Sequence, residues 1–254
     1  MTIDLDDFPD LSADQIEEEA DFLTTSYFGS LGQQVSVPVP VEQIAERYLG
    51  YSIELTDEGL FADATYLGGI VFESNTILVN GSVEEHEGRY NFTIAHELGH
   101  HALHRDLVQS RGQTVVDGEP TVICRDTTTK PKAEQQADRF AAALLMPKAV
   151  VMREFYKLFK EPVQLSQKDP KKARGIAAKL ATAAGLTNVS NTALVNRLLD
   201  LGLLYGVHYQ TGTSTDFYRK GGYRKGGYST KYLKKNFKML VRIATERLKF
   251  LLKK

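Results

Sequence analysis

Apolar residues recur at helical spacing in several separate segments of this chain. In residues 10–28 they lie among acidic side chains, a pattern that predicts a surface helix. A short helix follows through Ile44, Ala45 and Tyr48, with Gly50 as its end. The same periodicity predicts helices from about Arg89 to His104 and from about Ala133 to Leu145, the second ending before Met146-Pro147, and a helical region over residues 150–205.

Strand patterns lie between the second and third of these helices. The segments YSIEL, ATYLGGIVF and NTILVN are rich in β-branched and aromatic residues and are separated by Gly and Asn. A mixed segment over residues 114–126 also favours a strand. Strands clustered ahead of a largely helical second half predict an α+β fold.

The segment Ile94–His104 carries the clearest chemical pattern, His96-Glu97-x-x-His100. Residues four apart on a helix lie one above the other, so both imidazoles can face one cation. Zinc is bound by neutral imidazole, and the intervening glutamate can accept a proton from a zinc-bound water. The pattern is short, and an ordinary pair of surface or core histidines is the alternative.

A third ligand is expected on the next helix, because catalytic zinc sites usually have three protein ligands. Glu134 and Asp138 lie one turn apart, beside an apolar stripe of Ala133, Ala137, Phe140, Ala141 and Leu144. Glu134 can bind the metal while Asp138 accepts a hydrogen bond from a ligating histidine. The alternative for Glu134 is a solvated helix acid.

His104, one turn beyond His100, is predicted to be a packed histidine that supports a ligand rather than a fourth ligand. The extended motif with a third histidine fails, because Leu103 replaces its glycine and Asp106 its histidine. His101 is predicted to be exposed.

These two helices resemble the ImmA/IrrE family of zinc metallo-endopeptidases, small gluzincin-like proteins. The motifs that carry the resemblance are FTIAHELGHHALH (residues 92–104) and ExxADRFAAALLMP (residues 134–147). The segment VPVPVEQIAERYLGYSIEL, the strand ILVN and the later VSNTALVNRLLDLGLL also fit the family plan, over about residues 12–206. One departure is Gln136, where the family typically has a second acid.

The resemblance implies that His96, His100 and Glu134 bind Zn²⁺ and that Glu97 is the catalytic acid/base. It also implies a small antiparallel sheet packed on the helix that carries His96 and His100. The expected activity is limited proteolysis of a protein partner, a repressor-type DNA-binding regulator encoded nearby. Some members carry a C-terminal sensory domain, for which the basic segment here is too short.

The chain is therefore predicted to have four parts. These are an acidic N-terminal helix (residues 1–29), the metallopeptidase core (30–150), a helical, winged or helix-turn-helix-like region (151–208) and a basic tail (209–254). The helix near residues 191–204 could read DNA, but its apolar face is more simply core, and Arg197 alone is a weak basic footprint.

Composition adds a compartment to this picture. With 42% hydrophobic and 25% charged residues the chain is an ordinary globular one, which excludes disordered and collagen-like classes. A single cysteine, an acidic N-terminus and the lack of about 18 consecutive apolar residues predict a soluble cytoplasmic protein. The lone thiol, Cys124, is expected to be buried and structural, with a fourth zinc ligand or a redox gate as alternatives.

The net charge of −1 conceals a strong asymmetry along the chain. Residues 219–254 contain thirteen Lys and Arg against one acid, whereas the first 46 residues contain no Lys or Arg. Glycine-rich RKGGYRKGGY precedes a basic amphipathic helix whose partner could be nucleic acid, an anionic membrane or the acidic body of the protein. The alternative is a solvated charged helix without a specific partner.

Two rival functions remain open at this point. The first is a catalytically silent or toxin-like binding module on the same fold, and the second is a nucleic-acid-binding protein that acts through residues 219–254. For the peptidase, the donor that stabilises the tetrahedral intermediate is open among His101, His104, Tyr90 and Arg139.

Overall fold

The computed structural model describes residues 8–56, 66–84, 86–110, 131–166 and 169–206, together with the backbone of 122–125. These residues belong to one compact unit, bounded by Met1 and Thr215. The helices are α1 (Ala13–Ser30), α2 (Val41–Gln43, continued by a π-helical turn Ile44–Tyr48), α3 (Glu87–Ser110), α4 (Lys132–Leu145), α5 (Lys148–Phe159), α6 (Pro170–Ala184) and α7 (Asn191–Asp200). The strands are β1 (Ser52–Thr56), β2 (Tyr66–Val71), β3 (Thr76–Asn80), β4 (Val122–Arg125), β5 (Val163–Gln164) and β6 (Leu204–Tyr205).

The helix ends follow local sequence signals. Ser12 caps α1 through a capping box, in which its hydroxyl accepts from the Gln15 amide and the Gln15 side chain accepts from the Ser12 amide. Gly185 ends α6 with a positive φ of 75°, which glycine adopts without strain. Helix α3 is longer than the predicted Arg89–His104 by two residues at its start and six at its end.

The four-stranded sheet has the order β1-β3-β2-β4. Strand β3 is buried along its whole length and pairs antiparallel with β2, which pairs antiparallel with β4. Strand β1 pairs parallel with β3, so the sheet is antiparallel except at this edge. The predicted α+β fold, with a small sheet against α3, is confirmed, and its strand directions are refined by this one parallel pair.

The helical second half contains one element that periodicity does not reveal. Strands β5 and β6, two residues each, form a separate parallel pair with Val163 opposite Leu204. A two-residue strand is too short to show any alternation of apolar and polar positions. One hydrophobic core contains residues from Phe8 to Leu204. The boundaries of the four predicted parts stay a prediction.

Helix α7 is held to α1 by a buried ion pair. Both terminal nitrogens of Arg197 contact the Glu17 carboxylate, at 2.7 and 2.5 Å, and its Nε donates to the Met146 carbonyl at 3.1 Å. The Arg197 side chain is only 3% exposed. Arg197 therefore makes internal contacts, and the prediction that this face of α7 is core is confirmed by buried Leu194 and Leu198.

Removing one partner of this pair should destabilise the protein more than removing an exposed acid. Glu17→Leu leaves the buried Arg197 guanidinium without its counter-ion, which should lower the free energy of unfolding by about 3–5 kcal/mol. Urea unfolding measures this change. Glu18→Leu, at an exposed position of α1, is the control and should change stability by less than about 0.5 kcal/mol. Equal effects of the two substitutions would contradict the role of the pair.

Candidate metal centre

Helix α3 presents both histidines of the His-Glu-x-x-His pattern to the interior. His96, Glu97 and His100 have no exposed surface. His96 and His100 are one helical turn apart, and their Nε2 atoms lie 3.0 Å from each other. The spacing predicted from the sequence is therefore present, with the two imidazoles turned towards one point.

Helix α4 adds a carboxylate to the same point. Glu134 is 2% exposed, and its oxygens lie 3.2 Å from His96 Nε2 and 3.1 Å from His100 Nε2. Within the part of the chain that the structure describes, these three side chains form the one group of potential ligands close enough to hold a metal ion. The solvated position considered for Glu134 does not occur.

A close approach of α3 and α4 allows this convergence. A Cβ atom placed on Gly99 would lie 3.0 Å from Ala137 Cα, 3.1 Å from its carbonyl oxygen and 3.2 Å from Phe140 Cβ. Small residues at the crossing thus let the two backbones come near each other. Without that proximity the Glu134 carboxylate would not reach the two histidines on α3.

Asp138 makes the contact expected of it, one turn after Glu134. Its Oδ1 lies 3.0 Å from His96 Nδ1. A carboxylate can only accept, so the Nδ1–H group donates and His96 Nε2 carries a lone pair. Such outer hydrogen bonds set the tautomer of a metal-ligating histidine.

The donor set fits a zinc ion. Burial raises the pKa of Glu134, but the positive charge of His100 and His96 in their protonated forms outweighs burial and holds that pKa below its ordinary value. Both Glu134 oxygens are buried without a hydrogen bond. Atoms bound to tetrahedral zinc at ~2.0–2.1 Å lie about 3.3 Å apart. The observed separations of 3.0–3.2 Å are close to that spacing.

The third histidine of α3 lies behind the ligands. His104 is buried, with Nδ1 2.9 Å from His100 Nδ1 and Nε2 2.9 Å from Gln136 Oε1. Its ring meets Phe8 edge to face, at 4.7 Å between centroids. Burial, with smaller effects of neighbouring His100, lowers the pKa of His104 to about 3, so the ring is neutral.

Glu97 lies where the sheet meets α3. A Cβ atom on Gly68 of β2 would lie 2.5 Å from Thr93 Cγ2 and 3.3 Å from Glu97 Oε1. Glycine at this position therefore lets the strand run directly against the glutamate. Glu97 immediately follows His96 on α3, and its side chain is fully buried.

His101 is half-buried, and the prediction that it is exposed is wrong. Its Nδ1 lies 2.8 Å from the Tyr51 hydroxyl, and burial lowers the pKa of the imidazole to about 4. His101 is covered because Tyr51, the residue before β1, packs against this side of α3. Among the other candidate oxyanion donors, the Tyr90 hydroxyl donates to Glu42 at 2.8 Å and His104 contacts His100 and Gln136. Arg139, half-buried on α4, stays a candidate.

Two predictions fall outside the described residues. The side chain of Cys124 is one, since for β4 the structure describes the backbone alone. The basic segment 219–254 is the other.

Comparison with known families matches most of the chain. The model of the peptidase M78 family, described as the IrrE N-terminal-like domain, covers residues 40–198. This chain belongs to the M78 family. Membership of a peptidase family indicates a peptide hydrolase, and the His96, His100 and Glu134 group indicates a metal-dependent one. Comparison with curated proteins gave no match.

The M78 match includes α3 and α4 and therefore the whole predicted ligand set. Sequence reasoning missed the contacts of Phe8, Pro9 and Gln136 around His104. Gln136 carried a signal, as a polar residue on the buried flank two positions after Glu134, whereas Phe8 and Pro9 carried none.

No helix within the described ranges is both long and apolar enough to span a bilayer.

Substitution of Gly99 tests whether helix proximity sets the site. Gly99→Ala should force α3 and α4 apart, because its two nearest neighbours are backbone atoms, and should lower stability by about 1–3 kcal/mol and weaken metal binding. Gly175→Ala in α6 is the matched control, since nothing lies within 4 Å of its added Cβ. Urea unfolding and a chelator competition measure both effects. Unchanged metal affinity in a folded Gly99→Ala protein would contradict the role of helix proximity.

The buried histidines also predict a pH dependence for the metal-free protein. Burial lowers the pKa of His100, His101 and His104 from the ordinary 6.5, so the unfolded chain binds more protons in mild acid. The stability that the folded protein gains from keeping these histidines neutral should therefore be fully present above about pH 6.5. It should decrease as the pH falls towards about 4. Urea unfolding of chelator-treated protein at about pH 7.5 and about pH 5 measures the loss.

The control for this pH dependence is His101→Asn, which removes one of the three groups and should make stability fall less steeply. Glu134 does not contribute to the change in stability between about pH 7.5 and about pH 5. Its pKa is below the ordinary 4.5, so its stabilising contribution is lost only at lower pH. Stability that is constant or rises on acidification to pH 5 would contradict the prediction.

Proposed function

We propose that this protein is a zinc-dependent endopeptidase that performs limited proteolysis of a protein partner, a repressor-type DNA-binding regulator. The zinc peptidase rests on one observation: two imidazole nitrogens and a carboxylate lie within 3.0–3.2 Å of one another, and Glu97 follows the first of these histidines on α3. Membership of the M78 family supports the reaction class. The nature of the partner rests on the resemblance to ImmA/IrrE proteins.

His96, His100 and Glu134 would hold the zinc ion. When bound, zinc supplies Lewis acidity that polarises the scissile carbonyl and makes water a better nucleophile. His96 is oriented for this role by Asp138, whose Oδ1 lies 3.0 Å from Nδ1. The buried setting strengthens these electrostatic interactions, because few water molecules compete with them.

Glu97 would move the proton. Its carboxylate accepts a proton from the attacking water as the water oxygen bonds to the carbonyl carbon. It then gives that proton to the amide nitrogen as the C–N bond breaks. The second proton of the water passes from the new carboxyl group to the amine, so the products are a carboxylate and an ammonium group. This role needs a carboxylate beside the ligands that does not itself bind the metal, and Glu97 immediately follows His96 on α3.

Two substitutions separate the chemistry from the metal. Glu97→Gln should keep zinc, because the ligands are intact, and should slow cleavage by at least about 100-fold, since an amide cannot accept the proton. His100→Ala should lose both zinc and cleavage. The measurements are the zinc content of dialysed protein and mass spectrometry of fragments after incubation with the regulator encoded beside it.

Glu87→Gln is the matched control, the same chemical change at an exposed position in the first turn of α3. It should leave both zinc content and cleavage unchanged. Cleavage at the normal rate by Glu97→Gln would remove Glu97 from the mechanism. Stoichiometric zinc without Glu97-dependent cleavage of any such regulator would favour a silent binding module instead.

A further inference from the structure

A chain of hydrogen bonds leads away from the metal centre to the start of the described chain. From His100 Nδ1 it passes to His104 Nδ1 at 2.9 Å and from His104 Nε2 to Gln136 Oε1 at 2.9 Å. Gln136 Nε2 then reaches the Pro9 carbonyl oxygen at 2.7 Å. His100, His104 and Gln136 are all buried, so water does not compete for the contacts among them, whereas the contact with Pro9 is partly buried.

The last link determines the direction of the first ones. A carbonyl oxygen can only accept a hydrogen bond, so Gln136 must donate its NH₂ group to Pro9. The amide oxygen of Gln136 then faces His104 Nε2 and accepts from it. A neutral imidazole has one donor and one acceptor nitrogen, so His104 Nδ1 is an acceptor.

The direction of these hydrogen bonds also sets the tautomer of the ligand His100. Because His104 Nδ1 accepts, His100 must donate from its Nδ1. His100 Nε2 is then unprotonated and carries its lone pair towards His96 Nε2 and the Glu134 carboxylate. This is the tautomer that a zinc ligand requires. His96 reaches the same tautomer through Asp138.

We propose that Gln136 is a positioning residue of the metal centre: anchored on the Pro9 carbonyl, it orients His104, which holds His100 in its metal-binding tautomer. The inference rests on the proposed function for its purpose, but on the observed contacts for its geometry. It makes the segment Phe8–Pro9 part of the site, with Phe8 packed edge to face on the His104 ring.

An amide is suited to this position in a way that a carboxylate is not. Gln136 must accept from His104 and donate to Pro9 at the same time. A carboxylate could accept from His104 but would place an oxygen against the Pro9 carbonyl. An apolar side chain would leave the buried His104 Nε2–H and the carbonyl both without partners, which is costly.

The first test needs no substitution. Nitrogen-15 NMR of the histidine rings in the full chain, with and without zinc, reports which ring nitrogen carries the proton. We expect His104 to be protonated at Nε2 and bare at Nδ1 in both forms, and His100 to be protonated at Nδ1 in the zinc form. Protonation of His104 at Nδ1 would overturn the proposal, because the chain would then run in the opposite direction.

The second test compares two variants of Gln136 in a chelator competition for zinc. Gln136→Leu should weaken zinc binding by about 10–100-fold, the usual effect of losing an outer hydrogen bond to a ligand. Gln136→Glu keeps an acceptor for His104 and should lose less than about tenfold. The control is Gln135→Leu, the same change about 100° around α4, which should bind zinc normally.

Two results would refute the positioning role. One is normal zinc affinity in a folded Gln136→Leu protein. The other is an equal loss in the Leu and Glu variants, which would indicate a packing effect. If Gln136→Leu does not fold, the ring-nitrogen measurement on the unaltered chain decides.

Failure of the proposed function would look different from failure of this inference. If the protein binds zinc and shows the expected tautomers but cleaves no regulator, the proposed peptidase function is refuted and the positioning role of Gln136 is not affected. A protein that binds no zinc would sink the zinc peptidase, and the metal-free His104 tautomer would still decide the inference.

Discussion

The structure depends on holding three electron-pair donors together in a buried place. His96 Nε2, His100 Nε2 and the Glu134 carboxylate lie within 3.2 Å of one another, with little exposure to water. Lone pairs so close repel each other unless a cation lies among them. This constraint explains why α3 and α4 cross at Gly99 and Ala137, where small residues permit a close approach.

The groups around this centre turn its histidines inward. Asp138 on α4 meets the outer nitrogen of His96, while the outer nitrogen of His100 is met by His104, and through it by Gln136. The two outer contacts end on different kinds of acceptor, a half-buried carboxylate and the Pro9 carbonyl. The N-terminal segment therefore contributes to the site although it lies far from α3 in sequence.

Much of the site could be predicted because it is written in local spacing. Four-residue intervals within α3 and α4 place His96 above His100 and Glu134 above Asp138, and helical periodicity follows from backbone geometry alone. The exposed surroundings expected for His101 were wrong, because Tyr51 comes from a distant part of the chain to cover it. Strands β5 and β6 escaped prediction because two residues show no period.

By itself the sequence determined the helices, the faces they bury and the residue types able to bind a cation. Those properties depend on neighbours within one or two turns. Only the tertiary structure decided that Glu134 meets the histidines, that β1 runs parallel to β3, and that Arg197 is buried against Glu17. Such contacts join residues far apart in sequence, and their geometry follows from packing of the whole core, which no local pattern encodes.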